Sequence, residues 1–62
     1  MYKIQIAHPN TPNTWITRAE ADVYDPAARG FVEYKRSYPD HHIRVIRFGH
    51  VVLEYRPEGE RA

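Results

Sequence analysis

The sequence predicts an α+β fold: a small antiparallel sheet with one helix packed on one face, in the order strand-strand-helix-strand-strand. Three observations predict it. Residues 2–7 alternate apolar and polar side chains, residues 25–38 carry an apolar stripe at helical spacing, and two apolar runs flank Gly49-His50. One helix covers only one face of such a sheet, so the reading also predicts an uncovered face.

The elements follow in order. In the first run Tyr2, Ile4 and Ile6 fall on one side and Lys3, Gln5 and Ala7 on the other, the pattern of a half-buried strand. Residues 8–14 cluster proline, asparagine and threonine, which set or tolerate turn geometry, and read as a loop closing a hairpin. Residues 15–24 also have period two, with Trp15, Thr17, Ala19, Ala21 and Val23 against Ile16, Arg18, Glu20, Asp22 and Tyr24. Thr17 through Glu20 fits a capping box as well. A helix there would lack a coherent apolar stripe, so a second strand is expected.

Asp25-Pro26 is the clearest local signal. Asp25 can accept a hydrogen bond from a free first-turn amide, and Pro26 has no amide to leave unsatisfied. Ala27, Phe31, Tyr34 and Tyr38 then share one stripe, while Arg29, Glu33 and Arg36 lie opposite. Pro39 biases Tyr38 out of the helical region and ends the segment. Gly30 costs about 1 kcal/mol relative to alanine inside a helix; it is either a close approach of helix to sheet or a tolerated flaw.

Residues 43–48 and 51–56 read as a hairpin, with Gly49-His50 as the central pair of a type II′ turn. That turn puts Phe48 opposite Val51, Ile46 opposite Leu53 and Arg44 opposite Tyr55. The covered face is then expected to hold Tyr2, Ile4, Ile6, Trp15, Val23, Ile46, Phe48, Val51 and Leu53. The uncovered face is expected to show Ile16, Tyr24, Ile43, Val45 and Val52 among Arg18, Arg47, Glu54 and Arg56. Pro57 ends strand pairing. Residues 1–62 are read as one domain, with 57–62 a frayed tail.

Composition narrows the function. A chain of 62 residues buries only roughly 60% of its unfolded surface, so its core is small. The chain has no cysteine, which removes disulfides and thiolate metal sites. It lacks a signal-peptide pattern and the run of about 20 apolar residues that a membrane span needs. A cytoplasmic protein that does not engage membranes is expected. Net charge is +1 overall, but residues 18–33 net −2 and residues 35–56 net +3.

No catalytic residues, cofactor or metal site are expected. His41 and His42 are adjacent and would point to opposite faces of a strand, and no further ligand motif accompanies them or His50. Ser37 is the only serine and has no elbow glycines beside it, and the glycines at 30, 49 and 59 are too scattered to cradle a phosphate.

Protein binding fits better, because interface cores favour aromatics and arginine. The residues assigned to it are Ile43, Val45, Arg47, Val52, Arg56, Arg18 and Tyr24. The partner is another protein, from a host or a second copy of this chain. The alternative is a small nucleic-acid-binding protein using the basic C-terminal hairpin, through Arg44, Arg47, Arg56, Lys35, Arg36 and Tyr55. A second alternative is a structural protein that only self-associates, as a homodimer for example.

The first strand YKIQI, the tryptophan opening a second strand, the acid-proline-alanine helix start and the return through YPDHHIRVIR resemble small uncharacterised accessory proteins of bacteriophages, especially those of actinobacteria. The resemblance covers roughly residues 2–47. It implies a non-enzymatic protein of the host cytoplasm, acting by stoichiometric binding to a host or defence protein. It carries over no functional residues.

Overall fold

The computed structural model describes residues 1–57. It contains strand β1 (Tyr2–Ala7), strand β2 (Ile16–Ala21), helix α1 (Tyr24–Ser37), strand β3 (His42–Arg47) and strand β4 (His50–Tyr55). The strands form one antiparallel sheet in the order β2-β1-β3-β4, and α1 lies across one face. The fold is the α+β arrangement predicted above. Pro57, the first residue of the predicted tail, is buried, and the rest of that tail, residues 58–62, lies outside the described residues.

The strand β1 sits at the centre and sets the register. Ile4 faces Ala19 on one side and Val45 on the other, and Ile6 faces Ile43. These side chains therefore share the face under the helix. The core is Tyr2, Ile4, Ile6, Ile43 and Val45 from the sheet with Ala27 and Phe31 from α1, flanked by Ala19, Ala21, Tyr34, Leu53 and Tyr55. Gly30 lies where the helix comes nearest the sheet: a Cβ there would stand 2.5 Å from the Cδ1 of Ile4. A methyl there would have to displace the Ile4 Cδ1, which accords with the close-approach reading of this glycine.

Both edge strands are irregular. Arg18 on β2 is an extra residue between the Ile4–Ala19 and Gln5–Thr17 pairs, and Val52 on β4 is an extra residue between Val45–Leu53 and Ile46–Val51. Bulges of this kind twist an edge and discourage another strand from adding to it.

The structure corrects several local expectations. The helix begins at Tyr24 with Val23 at the N-cap, so Asp25 lies inside the first turn and makes no side-chain cap. A carboxylate there still faces the positive end of the helix dipole, and Pro26 still falls where no amide is required. The second strand stops at Ala21, so Val23 and Tyr24 are not strand residues.

The largest correction concerns the β3–β4 hairpin. Arg47 pairs with His50, so the central turn residues are Phe48-Gly49 and not Gly49-His50. Both have positive φ, 52° and 78°, the pattern of a type I′ turn, in which glycine takes the second place. With the Val52 bulge, this register puts Leu53 opposite Val45. Ile43 and Val45 are then in the core at 0% exposure, not on the uncovered face. Ile46, Phe48, Val51 and Trp15, expected under the helix, lie outside the core.

Candidate functional site

The partner-binding residues named from sequence are not one surface. Ile43 and Val45 are sealed inside and cannot touch a partner. Arg18, on the β2 bulge, lines a cleft of about 290 Å³ with Ile6, Ile16, His8, Tyr38 and His41. Arg56 lies on the uncovered face, and Val52 is exposed on the outer edge strand. Only Tyr24 and Arg47 come together.

They meet where β1 starts, β3 ends and α1 begins. The Tyr24 ring meets the Tyr2 ring edge-on at 5.9 Å between centroids. The Arg47 guanidinium lies 5.2 Å from the Tyr2 ring centre and donates a 3.2 Å hydrogen bond through Nη1 to the Tyr2 hydroxyl. It lies 5.2 Å from the Phe48 ring as well. Tyr24, Tyr2, Arg47 and Phe48 thus form a continuous ladder of rings bridged by one cation, an arrangement favoured by the ring quadrupole.

Exposed apolar side chains gather round this ladder. Phe48 at the turn is 78% exposed, Val23 60% and Met1 53%, with Val51 close to half exposed. Beside Phe48 is a hollow of about 250 Å³ lined by Met1, Lys3, Ile46, Phe48 and Gly49. Phe48 is unfavourable twice over. A bulky side chain at positive φ is strained, and a large aromatic in water forfeits burial energy.

The six residues named for nucleic acid also divide. Arg44 and Arg56 share a polar concavity of about 390 Å³ on the uncovered face with Pro12, Asn13, Trp15, His42 and Glu54. The Arg44 guanidinium stacks on Trp15 at 4.1 Å and donates through Nε to Gln5 Oε1 at 2.8 Å, while Gln5 Nε2 donates to Thr17 Oγ1 at 3.1 Å. Arg56 Nε pairs with Glu54 Oε2 at 3.0 Å. Lys35 and Tyr55 meet elsewhere, the ammonium 5.4 Å from the ring, with the Tyr55 hydroxyl donating to the Pro39 carbonyl. Arg36 is exposed on α1, and Arg47 belongs to the ladder. The cations are spread over both sides of the sheet.

The histidines separate too. His8 and His41 meet edge-on at 5.1 Å, His42 lies in the polar concavity, and His50 opens β4. Among the described residues no group of three or more potential ligands could hold a metal ion, and no helix is long and apolar enough to cross a membrane.

Sequence reasoning missed Phe48, Met1 and Val51 as surface residues, and missed that the buried Tyr2 ring meets Tyr24 and Arg47. One signal was available: in two-residue hairpin turns, glycine in second place after a left-handed residue is a strong preference. Applied here, it moves the turn to Phe48-Gly49 and exposes Phe48. Comparison of the chain with family models, curated proteins and solved structures gives no match.

Proposed function

We propose that this chain is a non-enzymatic binding module that acts by stoichiometric association with another protein, through the end of the sheet carrying Tyr24, Tyr2, Arg47 and Phe48. The observation that carries the reading is Phe48, strained at positive φ and largely in water. Folding alone favours asparagine, aspartate or glycine at that turn position. A phenylalanine kept there at a loss in stability is accounted for by a contact made on binding. The surrounding composition supports this, since tyrosine and arginine dominate the energetics of protein interfaces. The bulged sheet edges favour docking at this end over strand addition. Under the phage-type resemblance the partner is a host or defence protein in the host cytoplasm.

The test is affinity capture from host lysate with the chain and three variants. Phe48→Asn and Arg47→Glu should lose a partner that Arg56→Glu, in the polar concavity, retains. Equal recovery by all three, with folding intact by circular dichroism, would remove this surface from consideration.

A second reading, nucleic-acid binding, is favoured by Trp15, Arg44 and Arg56 in one concavity, where an aromatic and two cations suit a base and its phosphates. It requires affinity that falls steeply with salt. The engagement of Arg44 with Trp15 and Gln5, and of Arg56 with Glu54, weighs against it. Lack of any mobility shift with single- and double-stranded probes at low salt would dispose of it.

A further inference from the structure

We infer that the cleft at the opposite end of the sheet from Phe48, lined by Arg18, His8 and His41, is a binding site for a small aromatic carboxylate. It shares no residue with the docking surface proposed above, and the two stand or fall separately.

The cleft forms where β1 ends, β2 and β3 begin and α1 stops. Ile16 pairs with Ile6, a core residue, so both point to the helix side of the sheet and supply apolar walls. Arg18, the extra residue of the β2 bulge, lines the same cleft. Tyr38, His41 and His8 complete it as a row of rings, His41 meeting His8 and Tyr38 edge-on at 5.1 Å each. Its volume of about 290 Å³ lies at the lower end of the range for ligand pockets, which suits a single-ring molecule.

The hydrogen bonds assign the imidazole hydrogens. His8 Nδ1 accepts from the Asn10 backbone N–H at 3.0 Å, so in the neutral ring the hydrogen is on Nε2. His41 Nδ1 is shielded from solvent and has no partner among the described residues. An orphaned buried N–H is rare, so here too the hydrogen belongs on Nε2, the nitrogen left accessible. Both imidazoles then present N–H donors, beside the five of the Arg18 guanidinium. None of the six lining residues is acidic. Asp40, next to His41 in sequence, has interactions of its own and does not line the cleft.

A donor-rich cleft with no carboxylate in its walls calls for an anion. Arg18 is exposed and forms no ion pair among the described residues, and its planar fork matches a carboxylate with two parallel hydrogen bonds. The end of α1 works against this, since a helix C-terminus carries roughly half a negative charge. Two of the carbonyls there are engaged, Tyr34 by the Tyr38 N–H and Tyr38 by the His41 N–H, and the full charge of Arg18 outweighs the remainder. Ile6, Ile16 and the ring edges are wasted on a bare inorganic anion, which is why the ligand carries an aromatic body.

The test is titration of the full chain with benzoate, followed by backbone amide chemical shifts. Saturable shifts should gather at residues 6–8, 16–18 and 38–42, with a dissociation constant on the order of 1 mM. Arg18→Gln should raise that constant about tenfold or more, and Ile16→Ala about threefold. Both positions are exposed, so both variants should fold. Arg56→Ala, in the polar concavity, should bind as the parent chain does. Benzyl alcohol, which lacks the charge, and inorganic phosphate, which lacks the ring, should each bind far more weakly than benzoate. Absence of saturable shifts at the cleft overturns the inference, as does benzoate binding that survives Arg18→Gln unchanged. Benzyl alcohol matching benzoate would show that no anion is recognised, and phosphate matching it would show that the apolar walls play no part; either result overturns the aromatic carboxylate.

Discussion

The strand β3 starts sealed and ends open. Ile43 and Val45 have no exposed surface, while Arg47 and the Phe48 that follows stand in solvent at the aromatic end. Only Ile46 separates Val45 from Arg47, yet Ile43 and Val45 hold the domain together while Phe48 strains the turn that follows. The difference lies in what each residue meets. Ile43 and Val45 face Ile6 and Ile4 across β1 and pack under the helix. Arg47 faces Tyr2, where the sheet runs out beyond the helix start, and Phe48 occupies a turn that suits a different residue. Buried and exposed residues are thus divided along one strand, so the exposed end can change without dissolving the core.

That division can be broken or sharpened by substitution. The largest effect should come from the sealed end. Ile43→Ala leaves a cavity in the centre of the core and should cost about 2–5 kcal/mol. A domain this small rarely has more than about 3–5 kcal/mol to lose, so urea denaturation should find the variant largely unfolded in water. A cooperative transition near the wild-type midpoint would refute the assignment of Ile43 to the core.

The open end should respond with the opposite sign. Phe48→Asn, measured in dilute solution where association plays no part, should stabilise the chain by about 1 kcal/mol, because asparagine tolerates the left-handed backbone. The urea midpoint should rise with an unchanged slope, and a fall would show that Phe48 contributes to the monomer fold.

A smaller effect is expected where helix and sheet touch. Gly30→Ala gains helix propensity of about 1 kcal/mol but drives its methyl into Ile4, and overpacking costs about 1–3 kcal/mol. The variant should be destabilised by roughly 1 kcal/mol on the same principles. Ile4→Val removes the Cδ1 that the new methyl would strike, so the double variant should be less destabilised than the two single losses added together. Strict additivity in that cycle would show that the contact at Ile4 is not what requires glycine.

The smallest effect should be on the uncovered face. Glu54→Gln breaks a solvent-exposed pair with Arg56 and should change stability by less than about 0.5 kcal/mol. A loss several times larger would mean that the polar concavity helps to hold the fold.

Much of this fold was readable without coordinates. The alternation of Tyr2, Ile4 and Ile6, the proline in the first helical turn and the stop before Pro39 all report local physics, and each element forms where its own residues favour it. The candidate site was less readable. Tyr24 and Arg47 were named from sequence and lie at the proposed surface, but Phe48 was placed in the core because an aromatic next to a hairpin glycine has the hydropathy of a core residue. Tyr2 was correctly assigned to the covered side, and hydropathy carries no sign that its hydroxyl and ring edge reach the end of the sheet.

The sequence by itself determined the α+β class, the order of elements, the helix and the face that β1 buries, because each follows from residues near one another in the chain. Only the tertiary structure decided which side of β3 lies under the helix. Ile43, Val45 and Arg47 alternate with Arg44, Ile46 and Phe48, two apolar residues and one arginine on each side, so hydropathy does not separate them. The choice is made by pairing Ile4 with Val45 and by a left-handed turn one residue earlier than composition suggested, and the same choice leaves Phe48 in solvent.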